Sequence, residues 1–426
     1  MSPTAAWLAA ASKPDAAPIL VFQMPDLGSG LFFATEPGHY PVMDPTPERL
    51  ALQEGGFLKL QDGTDLLIKG ISGSPHHAAL VAEGGRPTIT RRVQNIFSGR
   101  STTAIGDIRL VDDGLLDEFF GGYESTLRGA RITGYVHFAG LDFATDAEKY
   151  FVARVEQASV SDAGEISLRL IDEQTFLFQK IRIAEGTYTA QKLGDVVKAR
   201  LTAAGVAYPG DYDATAWAAW TAAGQPGDYT VTGSWNEGDV FTVLDGILGD
   251  SFSWYCFRRD GKFYIEKFAD LGATPPVTVS LEDAASCFEG GSAEMFLGVF
   301  RQQTVKYNGG AASVSRTVNL STAHPWWPTA AEGQAVDIGL TGLADATALA
   351  DARLAVLSSE HLVSTLHADL RMLAFNLGDT VEVTLSGKKL PGSVQKYHRV
   401  TEIKEDPNSG KTIINLWSKL GGPPLP

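Results

Sequence analysis

Cysteine is almost absent. The chain has Cys256 and Cys287 in 426 residues. Two are too few for a disulfide framework, and neither belongs to a C-x-x-C pair. Both read as buried free thiols. Long apolar runs are also missing: none approaches the ~18 uninterrupted residues of a membrane-crossing helix. The short run Ala5–Ala11 follows no positive residue, so a signal peptide is not expected. The chain is expected to be made in the cytoplasm and to reach any later destination by assembly or lysis. Clustered positive charge is scarce too. Thirty-five Lys and Arg stand against 50 Asp and Glu, a formal net charge of −15. The nearest basic groupings are Arg91-Arg92 and Lys388-Lys389. A nucleic-acid surface replaces phosphate counterions with clustered cations, so specific nucleic-acid binding is not expected. Net acidity fits a surface that DNA passes without sticking, and equally fits plain solubility.

Catalytic signatures are missing as well. The chain contains no G-x-x-x-x-G-K-[ST], no G-x-G-x-x-G after a strand, no H-E-x-x-H and no G-x-S-x-G. Gly70-Ile71-Ser72-Gly73-Ser74 begins like a nucleophile elbow but lacks the last glycine, and reads as a turn. Of eight histidines only His76-His77 are adjacent, with His39 and Asp65 as conceivable co-ligands. Neighbours on an extended chain point to opposite faces, and His361 and His367 are spaced wrongly for one helical face. No metal or cofactor is expected. Asp112-Asp113, Asp117-Glu118, Glu282-Asp283 and Glu405-Asp406 lie near predicted turns and read as turn or helix-start residues. A glycosidase would need two facing carboxyls ~5–10 Å apart, one of raised pKa. The most conspicuous local motif is His324-Pro325-Trp326-Trp327-Pro328. Its tryptophans suit an interface, self-packing on Phe296 and Phe300, or stacking on sugar rings; the first two are preferred.

What is present is apolar material and turns. Hydrophobic residues make up 44% and charged ones 20%, enough for packed cores in roughly two to four domains of ~100–200 residues. Forty-five Gly and 21 Pro with few long helical patterns indicate a mostly-β chain. Residues 1–18 read as an arm or short helix. An N-terminal β domain over 19–180 follows, with a first strand at Ile19-Leu20-Val21-Phe22 and a proline-rich loop over 34–55. It continues with a hairpin about Asp62-Gly63-Thr64-Asp65, strands over 105–110 and Arg131–Phe138, and a hairpin turning at Ser161-Asp162-Ala163-Gly164. A middle α+β domain over 181–295 has a helix capped by Thr189 with stripe Leu193, Val197, Leu201, Ala204, and a loop over 208–229. A second helix carries Val240, Val243, Leu244, Ile247 and Leu248, and an aromatic hairpin turns at Arg259-Asp260-Gly261. A C-terminal β-barrel domain with one helix spans 296–426. It has a turn at Asn308-Gly309-Gly310 and a helix with stripe Leu343, Ala346, Ala350, Leu354, Leu357. The turn Leu377-Gly378-Asp379 and a final hairpin about 405–410 complete it.

Two patterns are specific enough to compare with a known family: Leu377-Gly378-Asp379-Thr380-Val381-Glu382-Val383 after a helix, and Trp254 with Asp260-Gly261-Lys262 after another. Over roughly residues 150–426 the chain resembles the tail-hub proteins of long-tailed bacteriophages. That resemblance implies a multidomain fold, mostly β with some α, in which two β-barrel or sandwich-like tube-type domains flank a middle α+β domain. It implies a non-enzymatic structural role in the virion, at the tail tip or baseplate. There a trimeric ring would join the tail tube to the central spike or fibre and line the DNA path. The implied partners are further copies of the chain, a tail tube or distal tail protein, the spike or fibre protein and a tape-measure protein. Trp326, Trp327, Trp254 and Asp379 are the candidate interface residues. A receptor- or carbohydrate-binding tail adhesin and a tail-associated cell-wall hydrolase are the competing readings. The hairpins beginning at Tyr150 and Tyr397 share spacing. They read either as a duplicated module, as hub subunits have, or as two hairpins alike because antiparallel hairpins are alike.

Overall fold

In the computed structural model the described residues are 4–11, 18–24, 32–34, 85–93, 99–111, 127–161, 164–269, 279–282, 291–296, 300–318, 331–359, 361–368, 376–384, 397–406 and 411–419. The fold is multidomain and mostly β with some α. Two compact units share the chain discontinuously. One comprises Met1–Thr88, Ile105–Glu173 and Asp406–Gly410; the other comprises Ile89–Ala104, Gln174–Glu405 and Lys411–Pro426.

The first unit is built on a six-stranded sheet. Edge to edge it runs Phe32–Ala34, Pro18–Gln23, Arg131–Phe138, Glu148–Val160, Glu165–Asp172, Ile108–Val111. Ile19, Leu20, Val21 and Phe22 are buried in succession, so this strand is covered on both faces rather than alternating. The apolar N-terminal run forms the helix Ala5–Ala11, whose Trp7 is buried edge-on against Phe138 at 5.2 Å. Between Glu148–Val160 and Glu165–Asp172 the register shifts at Val155/Gln157, a bulge in the long hairpin.

The run over 105–110 is not one strand. Gly106 and Asp107 interrupt it, and Ile108–Val111 starts anew against Glu165–Asp172. The Gly106 N–H donates to the Thr88 carbonyl at 2.7 Å, and a Cβ there would meet Thr88 Oγ1 at 2.9 Å. Close backbone approach of this kind needs glycine.

In the second unit the strand Gly186–Lys192 runs straight into the helix Leu193–Ala203. Thr189 therefore does not cap that helix. It lies within the strand, and the residue at the cap is Lys192, whose side chain makes no capping bond. A bulge puts Ala190 in the left-handed region (φ 48°) and displaces Thr189 from the cap position. The segment 208–229 is not a plain loop either. Asp213 caps a helix, Ala214–Trp220, by accepting from the Ala216 N–H at 3.0 Å, and Trp217 and Trp220 are buried. The helix Val240–Leu248 buries all five residues of its expected stripe.

A second six-stranded sheet runs Gly186–Lys192, Thr230–Trp235, Val336–Leu340, Phe300–Tyr307, Ala312–Thr317, with Ala331–Glu332 branching from Phe300–Tyr307. Asn308, Gly309 and Gly310 turn its last hairpin with φ of 55°, 64° and 82°. The helix Leu343–Leu357 begins where expected, but Leu343 is 52% exposed and its buried residues are Ala346, Leu349, Ala350, Val356 and Leu357.

The ten-stranded sheet takes strands from widely separated stretches. Its path is Phe263–Lys267, Ser253–Phe257, Gly99–Ile105, Ile89–Val93, Tyr397–Asp406, Lys411–Lys419, His361–Ala368, Gly291–Phe296. Thr380–Thr384 also pairs with Tyr397–Asp406 and carries Val279–Glu282 on its other side.

Gly339 offers a direct test. Its φ is 73°, and a Cβ there would collide with the Thr232 carbonyl of the neighbouring strand. Gly339→Ala is expected to cost about 2–4 kcal/mol, read as lowered urea resistance and faster amide exchange in Val336–Leu340. Gly205→Ala, also left-handed but with open space around it, should cost only about 1 kcal/mol.

Candidate functional site

The two patterns singled out in the sequence meet in space. Ser253–Phe257 and Phe263–Lys267 pair in register about a turn in which the Gly261 N–H donates to the Arg258 carbonyl at 2.8 Å. Gly261 has φ 80° there, a left-handed conformation open to glycine. Trp254 is buried on this hairpin, its ring 5.5 Å from that of Tyr264. The indole occupies the place that a side chain at 378 would need, since a Cβ on Gly378 would lie 2.6 Å from the Trp254 ring. Gly378 is again left-handed, at φ 84°.

The turn is tied at both ends. The Gly378 N–H donates to the Val400 carbonyl and the Val400 N–H to the Asp379 carbonyl, each at 2.9 Å. Asp379 Oδ2 accepts from the Asn376 N–H at 2.9 Å, and Asn376 Oδ1 accepts from the Arg259 N–H at 3.3 Å. Trp254 and Asp379 are thus brought together and both are buried. Trp326 and Trp327 lie outside the described residues.

Around this contact sits a buried charge network. Glu405 is 0% exposed and accepts from two guanidinium groups: Arg91 at 3.1 Å, and Arg259. Arg258 lies 3.3 Å from Asp213 and 3.9 Å from Asp379, with its guanidinium over the Tyr264 ring. Arg399 reaches Glu266 at 2.7 Å, and the Tyr264 hydroxyl donates to Glu266 at 2.6 Å. Buried charges persist only when paired and hydrogen-bonded in this way.

Glu405 is therefore not a turn residue: it lies within Tyr397–Asp406, paired with Ile89. Arg91 was legible only as half of a basic pair. The alternation in Ile89-Thr90-Arg91-Arg92-Val93 buries Arg91 beside Ile89 and leaves Arg92 exposed. That period-2 pattern was the available signal.

Burial pushes the Asp379 carboxyl above the usual aspartate range, with Arg258 opposing. Tyr264 is held well above the ordinary tyrosine range by burial and then by the Glu266 charge. Cys256 is buried and free, its thiol pushed up to about 12 by burial; a thiol held protonated is chemically inert. His361 is buried and stacks on Trp417 at 5.6 Å. Among the described residues no group of three His, Cys, Asp or Glu is placed to hold a metal ion. Cys287, His39, His76, His77, His324, Asp65, Asp112, Asp113, Asp117, Glu118 and Asp283 lie outside the described residues. The arrangement suits holding rather than reacting, since each carboxylate in the network is committed to a cation or to a backbone donor.

No protein-family model matches the chain, and no curated protein matches it. Among solved structures it is similar to a tail protein from Neisseria meningitidis, with a TM-score of 0.47 and 14% identity over 80% of this chain and 96% of that one. A prophage tail protein from Shewanella oneidensis gives 0.42 and 13% over 80% and 95%. A prophage tail protein from Listeria monocytogenes gives 0.43 and 10% over 85% and 94%. These neighbours are tail proteins, the group that the sequence patterns resemble.

Removing the central carboxylate leaves two guanidinium groups buried against each other. Glu405→Ala is expected to cost about 3–5 kcal/mol, measured by urea unfolding. Asp379 gives a pH dependence of definite sign. Its folded pKa is raised, so its contribution to stability is full at pH below the ordinary aspartate value and is lost as pH rises through the raised one. Asp379→Asn should therefore gain stability relative to the parent across that window, and a difference unchanged between pH 3 and pH 7 would contradict the assignment.

Proposed function

We propose that this chain is a structural ring subunit of a bacteriophage tail tip or baseplate, a hub that joins the tail tube to the central spike or fibre and lines the path of ejected DNA. The observation that supports this most is the presence of two long paired strands: Glu148–Val160 beside Glu165–Asp172, and Tyr397–Asp406 beside Lys411–Lys419. Three subunits would present six such pairs, matching a six-fold tube. The parts are an arm (1–18), an N-terminal β domain (19–180), a middle α+β domain (181–295) and a C-terminal barrel with one helix (296–426), with 89–104 lent to the ten-stranded sheet.

The role is binding, without a chemical step. Among the described residues Val160, Tyr208 and Leu343 are the exposed large apolar side chains, points where neighbouring subunits gain by burying area. Trp326 and Trp327 are proposed to add an aromatic anchor, with Trp254 and Asp379 as the further interface candidates. The partners are further copies in a trimer, the tail tube or distal tail protein, the spike or fibre protein and the tape-measure protein. The net charge of −15 keeps DNA from adsorbing.

Cryo-electron microscopy of particles from the producing strain, with mass spectrometry to identify the chain, is expected to find it as a closed ring on the tail axis. Deletion of 397–417 is expected to abolish assembled tails. Absence of the chain from particles would overturn the reading. Intact particles that lose adsorption on Trp326→Ala/Trp327→Ala would favour an adhesin instead.

A further inference from the structure

The helices Leu193–Ala203 and Ala214–Trp220 both line a cleft of about 210 Å³. Pockets for drug-sized ligands run to ~300–1,000 Å³, so this one has room for a single ring and its substituents. The start of the first helix lines it at three-residue spacing, with Lys192, Asp195 and Lys198, which share one face. Asp228 adds a second carboxylate. Tyr208 and Trp217 form an aromatic corner, their ring centroids 6.3 Å apart and the planes tilted by 52°.

Most of the polar groups are held in place by the protein itself. Lys192 Nζ donates to the Asp228 carbonyl at 2.5 Å and lies 2.8 Å from its carboxylate, which accepts from the Gly224 N–H at 3.0 Å. Lys198 Nζ sits over the Tyr208 ring, 4.0 Å from its centroid. Asp195 differs. It is exposed, and among the described residues its carboxylate makes no hydrogen bond or ion pair.

Two carboxylates and two ammonium groups cancel, so the cleft gives no net Coulomb preference to an anion or a cation. What it offers is a high density of acceptors and donors beside an aromatic surface. A hydroxyl is one donor and two acceptors at once. A ring that carries several hydroxyls on its rim and C–H groups on its face therefore matches every kind of lining present. Tyr208 is 42% exposed and supplies apolar surface for the C–H face.

We propose that this cleft is a binding subsite for a single hexopyranose residue, with the sugar's C–H face on Tyr208 and its hydroxyls between Asp195 and the two lysines. The inference rests on the cleft and not on the ring reading. A sugar on Tyr208 takes the place of a neighbouring subunit there and leaves Val160 and Leu343 as the apolar contacts.

The full chain, titrated with the methyl glycosides of glucose, galactose and N-acetylglucosamine and followed by ligand-observed saturation-transfer NMR, tests it. At least one probe is expected to bind with a Kd of about 1 mM, the range for a ligand of about a dozen heavy atoms. Tyr208→Ala should weaken binding about fivefold or more, and Tyr208→Phe, which keeps the ring, should stay within about twofold of the parent. Asp195→Ala should weaken it about tenfold; this residue is exposed, so it carries the test should Tyr208→Ala fail to fold. A preference for N-acetylglucosamine identifies cell-wall glycan strands as the source of the sugar, and a preference for a neutral hexose identifies a surface polysaccharide. No binding by any probe at roughly ten times the expected Kd, or unchanged binding in either folded alanine variant, overturns the inference.

Discussion

A carboxylate with no access to water must receive its counter-charge from the protein, and Glu405 receives two. One arginine comes from a strand inserted from the N-terminal part of the chain, the other from the aromatic hairpin, and the carboxylate itself lies on the penultimate strand. Hydrophobic burial is non-directional and would tolerate several ways of laying these segments side by side. The ion pairs are directional, and they tie three segments distant in the chain to one carboxylate.

The same segments are held a second time by shape. The Trp254 indole fills the space above Gly378, and the left-handed backbone of that glycine lets the turn approach the hairpin closely enough for Asn376 to accept from the Arg259 amide. Arg258 and Arg399 extend the charged layer along the contact to Asp379 and Glu266. The hairpin and the turn therefore form one structural element, although 120-odd residues separate them in the chain. A neighbour pressing on one would meet the stiffness of both.

Much of the local architecture was legible in the sequence, because it rests on periodicity. The stripe of Val240–Leu248, the hairpins at Ser161–Gly164 and Arg259–Gly261, and the three-residue turn at 308–310 each carry their signal within about ten residues. What escaped was non-local or masked by a stronger local cue. Ala214–Trp220 is a short helix between glycine- and proline-rich stretches, and its cap, Asp213, was hidden among them. The break at Gly106 depends on Thr88, which no pattern within 105–110 reveals. Trp254 and Asp379 could be named from their motifs, but the approach of Trp254 to the neighbouring Gly378 could not. The partnership of Arg91 with Glu405 leaves only a weak trace, an arginine standing on the apolar face of an alternating strand.

The insertion of Ile89–Val93 also has a temporal side. Its partner strand lies some three hundred residues downstream, and Arg91 is 314 positions ahead of Glu405. At translation rates of about 5–20 residues per second the ribosome needs on the order of tens of seconds to cover that distance. Throughout that interval the strand has left the ribosome while the edge it will join does not yet exist. Two adjacent arginines in the five-residue strand Ile89–Val93 discourage edge-to-edge pairing with other nascent chains. Arg91 thus carries its charge through that interval and only afterwards meets Glu405.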